Sequence, residues 1–175
     1  MNPEGEMAFG GEGAVQPYMF EPESDPEQEE APEQVLQSRM QQDVSEWCTC
    51  HNCATMPTEP ENVCCMEIPQ VQRRLQQVEN PPACMVDHPG LEPVCLNVFS
   101  LQNAYNIFRA DYGPLHLRGI QHRYRYLAYR SFVSWVWGFL GRKIRVVNPS
   151  CVVLRIRREF PDTQGAYVGF RPPLD

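Results

Sequence analysis

Lysine is almost absent from this 175-residue chain, which carries only Lys143, and no basic residue of any kind precedes Arg39. Without a basic-then-apolar N-terminal pattern, nothing signals export. The longest strongly apolar stretch, Phe132 to Leu140, is nine residues and includes Ser134 and Gly138. About 20 are needed to cross a bilayer, so no transmembrane helix is expected. Enzyme signatures are missing too. There is no H-E-x-x-H, no H-x-E with P-C-x-x-C, no G-x-S-x-G and no phosphate-cradling G-x-x-x-x-G-K-[ST]. A non-catalytic, cytoplasmic protein is the expectation.

What charge there is falls unevenly. The chain has 15 Lys+Arg against 22 Asp+Glu, a formal net charge of -7. Residues 1–46 hold 12 acids and one base, a local charge of -11. Between Arg109 and Arg171 stand 12 bases and three acids, a local charge of +9. An acidic arm joined to a basic body points to an anionic partner, or to an arm that masks the body until a better anion arrives.

Residues 1–34 contain five prolines, four glycines and ten acids. Such a segment buries too little apolar surface to offset its ordering entropy and reads as a disordered acidic tail. Its apolar island, Tyr18-Met19-Phe20, is a candidate short motif for a protein partner. Over 35–46, Leu36, Met40, Val44 and Trp47 are spaced for a short amphipathic lead-in helix. Residues 47–172 form the expected domain. Val94, Val98, Leu101, Tyr105, Phe108 and Tyr112 step by 4, 3, 4, 3 and 4 toward Gly113-Pro114, a helix with its stop. A second helix is expected over about 121–140, its apolar second half forming the centre of the core. Val152, Leu154 and Ile156 alternate with Val153, Arg155 and Arg157, which predicts a half-buried strand paired with 145–147. The predicted fold class is therefore α+β, a small domain of two or three main helices with a short β-sheet behind the acidic tail.

Eight cysteines without an export signal are more readily metal ligands than disulfides. Cys48, Cys50 and Cys53 form C-x-C-x-x-C, Cys64 and Cys65 are adjacent, and Cys84, Cys95 and Cys151 stand singly. A thiolate knuckle of this kind suits tetrahedral soft-ligand coordination, with Zn²⁺ the default ion. The side chains of neighbours such as Cys64 and Cys65 diverge, so they reach separate ions. Two tetrahedral ions need eight ligand positions, which seven thiolates fill if one bridges. Cys95 lies beside Val94 and Val98 in an apolar pattern and reads as a packed core thiol. The candidate ligands are thus Cys48, Cys50, Cys53, Cys64, Cys65, Cys84 and Cys151, with His51 and His88 as alternates. Disulfides or simply unpaired thiols are the other readings of the same pattern.

Residues 122–130 interleave bases with aromatics, and His122, Arg125 and Tyr129 share one helical face. Arg155 and Arg157 are expected to project together from the strand. Fourteen of the fifteen bases are arginine, whose guanidinium forks bind phosphate bidentately and stack on rings. Arginine and tyrosine on adjoining elements suit a nucleotide. They also suit single-stranded nucleic acid, or a merely solvated basic surface.

Taken as an ordered set, Trp47-Cys48-Thr49-Cys50-His51-Asn52-Cys53, Cys64-Cys65, Tyr129-Arg130, Pro149-Ser150-Cys151, 155–161 and 165–170 resemble the intracellular C-terminal ballast domain of the seventh-subtype ATP-gated purinergic receptors. The resemblance covers about residues 46 to 172. It implies a cytosolic mixed α/β domain with a two-zinc cysteine cluster and a guanine-nucleotide pocket. By position, the seven cysteines match the zinc ligands, and Arg125, Tyr129 and Arg157 match nucleotide-contacting positions. Tyr126 stands where those receptors have a histidine, and Val153 and Asp162 where they have basic residues. The receptors' membrane helices and extracellular domain have no counterpart here, so no channel is expected of this chain alone. The functional expectation is a non-catalytic zinc-binding regulatory or scaffold module with a guanine-nucleotide face. The alternative is a zinc-stabilised nucleic-acid-binding protein.

Overall fold

The computed structural model describes residues 38–141 and 144–171, which belong to one compact unit, Gln37–Asp175. The expected acidic tail over 1–34, with its Tyr18–Phe20 island, lies outside the described residues, as do Leu36 and the last residues of the chain. Four α-helices carry the described part of the unit. They are α1 (Pro69–Leu75), α2 (Val98–Tyr112), α3 (Ile120–Trp137) and α4 (Ser150–Glu159). Single turns of 3₁₀ helix at Val44–Glu46, Glu59–Glu61, Cys65–Glu67 and Met85–Asp87 thread the cysteine region. The described part of the expected lead-in helix is one of these, the turn at Val44–Glu46, capped by Asp43, whose carboxylate accepts from Ser45 N.

No strand occurs among the described residues, so the α+β expectation with its β-sheet is overturned: the fold is helical. The segment expected as a strand is α4. Its buried residues include Val152 and Ile156, and Phe160 continues the row, a spacing of four that lays one apolar stripe along a helix. Pro149 stands at the N-cap, Arg157 and Arg158 complement the negative end of the helix dipole, and Arg155 pairs with Glu159 one turn on at 2.9 Å. Residues 145–147 carry no regular secondary structure and pair with no strand among the described residues.

The expected long helix from Val94 is also divided. Glu92–Leu96 is a turn of π-helix, Asn97 is extended, and α2 starts at Val98. The Asn97 carboxamide oxygen accepts from Phe99 N and Ser100 N, which is N-capping. Gly113, at φ 79, ends α2 in a backbone conformation open chiefly to glycine. Helix α3 packs against α2, against Glu92–Leu96 and against α4. Its second half is less buried than the apolar pattern predicted. Phe132 is fully enclosed, Trp135, Val136 and Trp137 are partly buried, and Phe139 beyond the helix end is 92% exposed. The core centres on Phe132, Met85, Leu91, Leu101, Ile156 and Val71, and it runs without a break into the buried cysteines. No described helix is long and apolar enough to cross a membrane.

Candidate functional site

The knuckle is built by a tight turn. Cys48 N donates to Val44 O at 2.8 Å, and His51 adopts a left-handed φ of 69° that folds the chain back on itself. This sets Cys48 Sγ and Cys50 Sγ 3.7 Å apart, and Cys50 Sγ and Cys53 Sγ 3.7 Å apart. Cys64 and Cys65 enter at a 3₁₀ turn pinned by Glu67, whose carboxylate accepts from Cys64 N at 2.9 Å. Arg39 grips that same carboxylate with both terminal guanidinium nitrogens, Nη1 and Nη2, and Nη1 also donates to Asn62 O, tying the chain before the knuckle to it. Cys84 opens the turn Met85–Asp87, and Cys151 sits in the first turn of α4.

All seven thiols predicted as ligands come together, and they do so as two groups of four. Cys48, Cys50, Cys53 and Cys64 form one, and Cys50, Cys65, Cys84 and Cys151 the other, with the sulfurs of each group within 4.8 Å of one another. Cys50 belongs to both. Cys64 and Cys65 fall into different groups, as the divergence of adjacent side chains requires. The second group is wholly buried, and in the first only Cys53 is partly accessible. Cys95 joins neither. It lies in the π turn, where burial alone pushes its thiol up to about 12, an inert packing sulfur. The alternates also stay outside. His51 is exposed, and His88 is buried, its Nδ1 accepting from Gly90 N and its ring edge-on to Trp135.

Hydrogen bonding among the clustered thiols, with Cys151 foremost, draws Cys50, Cys53 and Cys84 below the ordinary thiol range, while burial pushes Cys48 and Cys64 above it and Cys65 and Cys151 rise as well. Backbone amides donate to two of the sulfurs, Met85 N to Cys65 Sγ and Val86 N to Cys84 Sγ. Such N–H donors orient and stabilise thiolates around a soft metal. Four converging thiols per group suit the tetrahedral donor set of a Zn²⁺ ion.

Ser150, which sequence reasoning passed over, stitches the two halves of the cluster together. Its hydroxyl donates to Ala54 O at 2.9 Å and accepts from Ala54 N at 3.2 Å, across 96 residues of chain. Its own amide donates to Val63 O at 2.9 Å. The only sequence signal for it was its place between Pro149 and Cys151.

The basic face assembles differently from its sequence pattern. Because residues two apart on a helix do not face one way, Arg155 and Arg157 separate. Arg155 turns to Glu159, and Arg157 Nε donates to Tyr129 Oη at 3.2 Å. Arg125 is buried and its Nη1 donates to Phe160 O at 2.7 Å. Arg125, Tyr129 and Arg157 are brought together all the same, around Tyr167. Both guanidinium carbons stand over its ring, at 4.9 Å for Arg125 and 4.7 Å for Arg157. Tyr167 was not among the predicted residues, since only the return of the C-terminal segment brings it there. A groove of about 440 Å³ between α2 and α3, lined by Ala104, Ile107, Phe108, Leu127, Ser131 and Trp135 among others, holds none of the predicted site residues.

Comparison with known proteins gives one family. Residues 12–171 match the family described as the P2X purinoreceptor 7 intracellular domain. Over 134 residues the chain is 29% identical to P2X purinoceptor 7 of Rattus norvegicus, covering 75% of this chain and 21% of that protein. Over 137 residues it is 29% identical to P2X purinoceptor 7 of Mus musculus, with the same two shares. The chain thus spans about a fifth of the length of the curated relatives it matches.

Proposed function

The chain belongs to the P2X purinoreceptor 7 intracellular domain family, and from that premise we propose that it is a zinc-stapled, non-catalytic regulatory or scaffold module of the cytosol with a guanine-nucleotide-binding face. The observation that carries the proposal is the gathering of seven thiols into two groups of four that share Cys50. Two Zn²⁺ ions held this way take eight positions from seven residues. When bound, such ions supply folding free energy and no reactive position, because thiolates close each coordination sphere. Cys151 then fastens α4 to the N-terminal knuckle. Arg125, Tyr129 and Arg157 form the nucleotide face, where guanidinium groups suit phosphate and aromatic rings suit a base.

The nucleic-acid alternative has less support from the geometry. Tyr105, Phe108, Tyr112, Tyr126 and Tyr167 each already have a guanidinium of this chain against the ring. Fewer ring faces are then left as a stacking platform for bases.

Two measurements test the proposal. A strong zinc chelator should collapse the helical circular dichroism signal cooperatively, and an undiminished signal and melting transition after full metal removal would refute the stapling. Isothermal titration with GDP should show saturable binding that Arg157→Ala abolishes. Binding that is absent, or indifferent to this substitution, would refute the nucleotide face.

A further inference from the structure

The basic face is covered by the chain's own C-terminal segment. Residues 160–170 are anchored at both ends and cross the face between the anchors. At one end Phe160 is buried and its carbonyl accepts from Arg125. At the other, Phe170 N donates to the buried Glu61 carboxylate at 2.9 Å. Between them Asp162 organises a turn, its Oδ2 accepting from Gln164 N at 2.9 Å and Ala166 N at 3.0 Å. Gly165, with φ 68, permits that turn. Asp162 N in turn donates to Tyr167 Oη at 3.2 Å, which locks the ring to the turn. Two side chains of the segment meet the arginines: Tyr167 lies against both guanidiniums, and an Asp162 oxygen stands 4.0 Å from Arg125 Nη2.

We propose that residues 160–170 are an internal occupant of the anion site, with Tyr167 in the place of a ligand's ring and Asp162 in the place of its phosphate. The inference rests on the nucleotide reading above and adds its regulation. An incoming phosphate must displace a carboxylate that already faces Arg125, and an incoming base must displace a ring held by two cations. Asp162 is therefore the residue that sets the site against polyanions. The cover is able to lift, because residues 163–166 are exposed and the turn is held mainly through one carboxylate. Anything that captures Asp162 or Tyr167 elsewhere opens the face, so nucleotide occupancy becomes conditional rather than constitutive.

The test is titration of the full chain and two variants, Asp162→Asn and Tyr167→Ala, with GDP, guanosine and inorganic pyrophosphate. Asp162→Asn should tighten GDP and pyrophosphate by about fivefold, the scale expected from removing one like charge at a solvent-facing site, and tighten guanosine less, because the asparagine oxygen can still accept from the turn amides. Tyr167→Ala should tighten GDP and guanosine alike. Hydrogen exchange gives a readout independent of either variant's stability: GDP added to the unaltered chain should speed exchange at the Gln164 and Ala166 amides as the Asp162 turn releases. GDP affinity equal in all three proteins, with those amides unmoved, would overturn the internal occupant and leave the nucleotide face standing. No binding of any probe to any of the three would instead remove the nucleotide face itself, and this inference with it.

Discussion

Replacing Ser150 by alanine tests whether the two halves of the cysteine cluster are held together by more than their sulfurs. Alanine keeps the Cβ and the helical backbone of α4, and the Ser150 N to Val63 O bond is unaffected. Lost are the two hydrogen bonds to Ala54, one donated and one accepted. Each such bond contributes about 1 kcal/mol net. Ser150 is completely enclosed, but Ala54 is exposed, so its N–H and C=O regain water and add no full desolvation penalty. The expected loss is then about 2 kcal/mol, roughly a 30-fold fall in the folded-to-unfolded ratio. For a domain of this size each kcal/mol lowers Tm by about 3–5 °C, so the melt should drop by about 6–10 °C at fixed zinc concentration. Competition with a chromophoric zinc chelator should show the metal leaving sooner from the variant, since Cys151 is the next residue. A Tm shift below about 2 °C with unchanged zinc retention would refute the stitch.

Two further perturbations follow from named contacts. His88 is buried, and desolvation holds its imidazole below the usual value near 6.5. The unfolded chain therefore takes up a proton before the folded one does, so stability is lost as pH falls from about 6.5 toward the lowered folded value. Tm measured across that window should fall less steeply in His88→Gln than in the unaltered chain, and parallel curves would refute the assignment. At Gly169 an added Cβ would stand 2.7 Å from Glu61 Oε1. That carboxylate is not free to retreat, because Thr58 N, Thr58 Oγ1 and Phe170 N all donate to it. Gly169→Ala should cost about 1–3 kcal/mol and speed exchange at the Phe170 amide, and a neutral melt would show that the approach is looser than this.

What was legible in the sequence depended on range. Helix α2 was readable because its apolar spacing and its Gly113-Pro114 stop are local. Its start was not, since the Asn97 cap and the π turn before it interrupt a periodicity that continues through them in sequence. At α4 the alternation of Val152, Leu154 and Ile156 satisfied a strand pattern. The same segment also carried Val152, Ile156 and Phe160 at helical spacing, and Pro149 ahead of it was a helix-start signal. Tertiary burial decided between them, with no partner strand for 145–147 among the described residues. Among the cysteines, the separation of Cys64 from Cys65 follows from covalent geometry and was legible. That Cys50 is the shared sulfur depends on the left-handed turn at His51 and on α4 delivering Cys151, neither of which spacing reveals. Tyr167 and Asp162 reach Arg125 and Arg157 only through the returning C-terminal segment, so a motif confined to 122–130 and 155–157 could not include them.

Native mass spectrometry of the full chain purified under reducing conditions tests the two-centre cluster most directly. Two Zn²⁺ per chain are expected, retained in Cys95→Ser and lost from both positions together in Cys50→Ser, because Cys50 belongs to both groups. A metal-free folded chain, or two ions retained in Cys50→Ser, would contradict it.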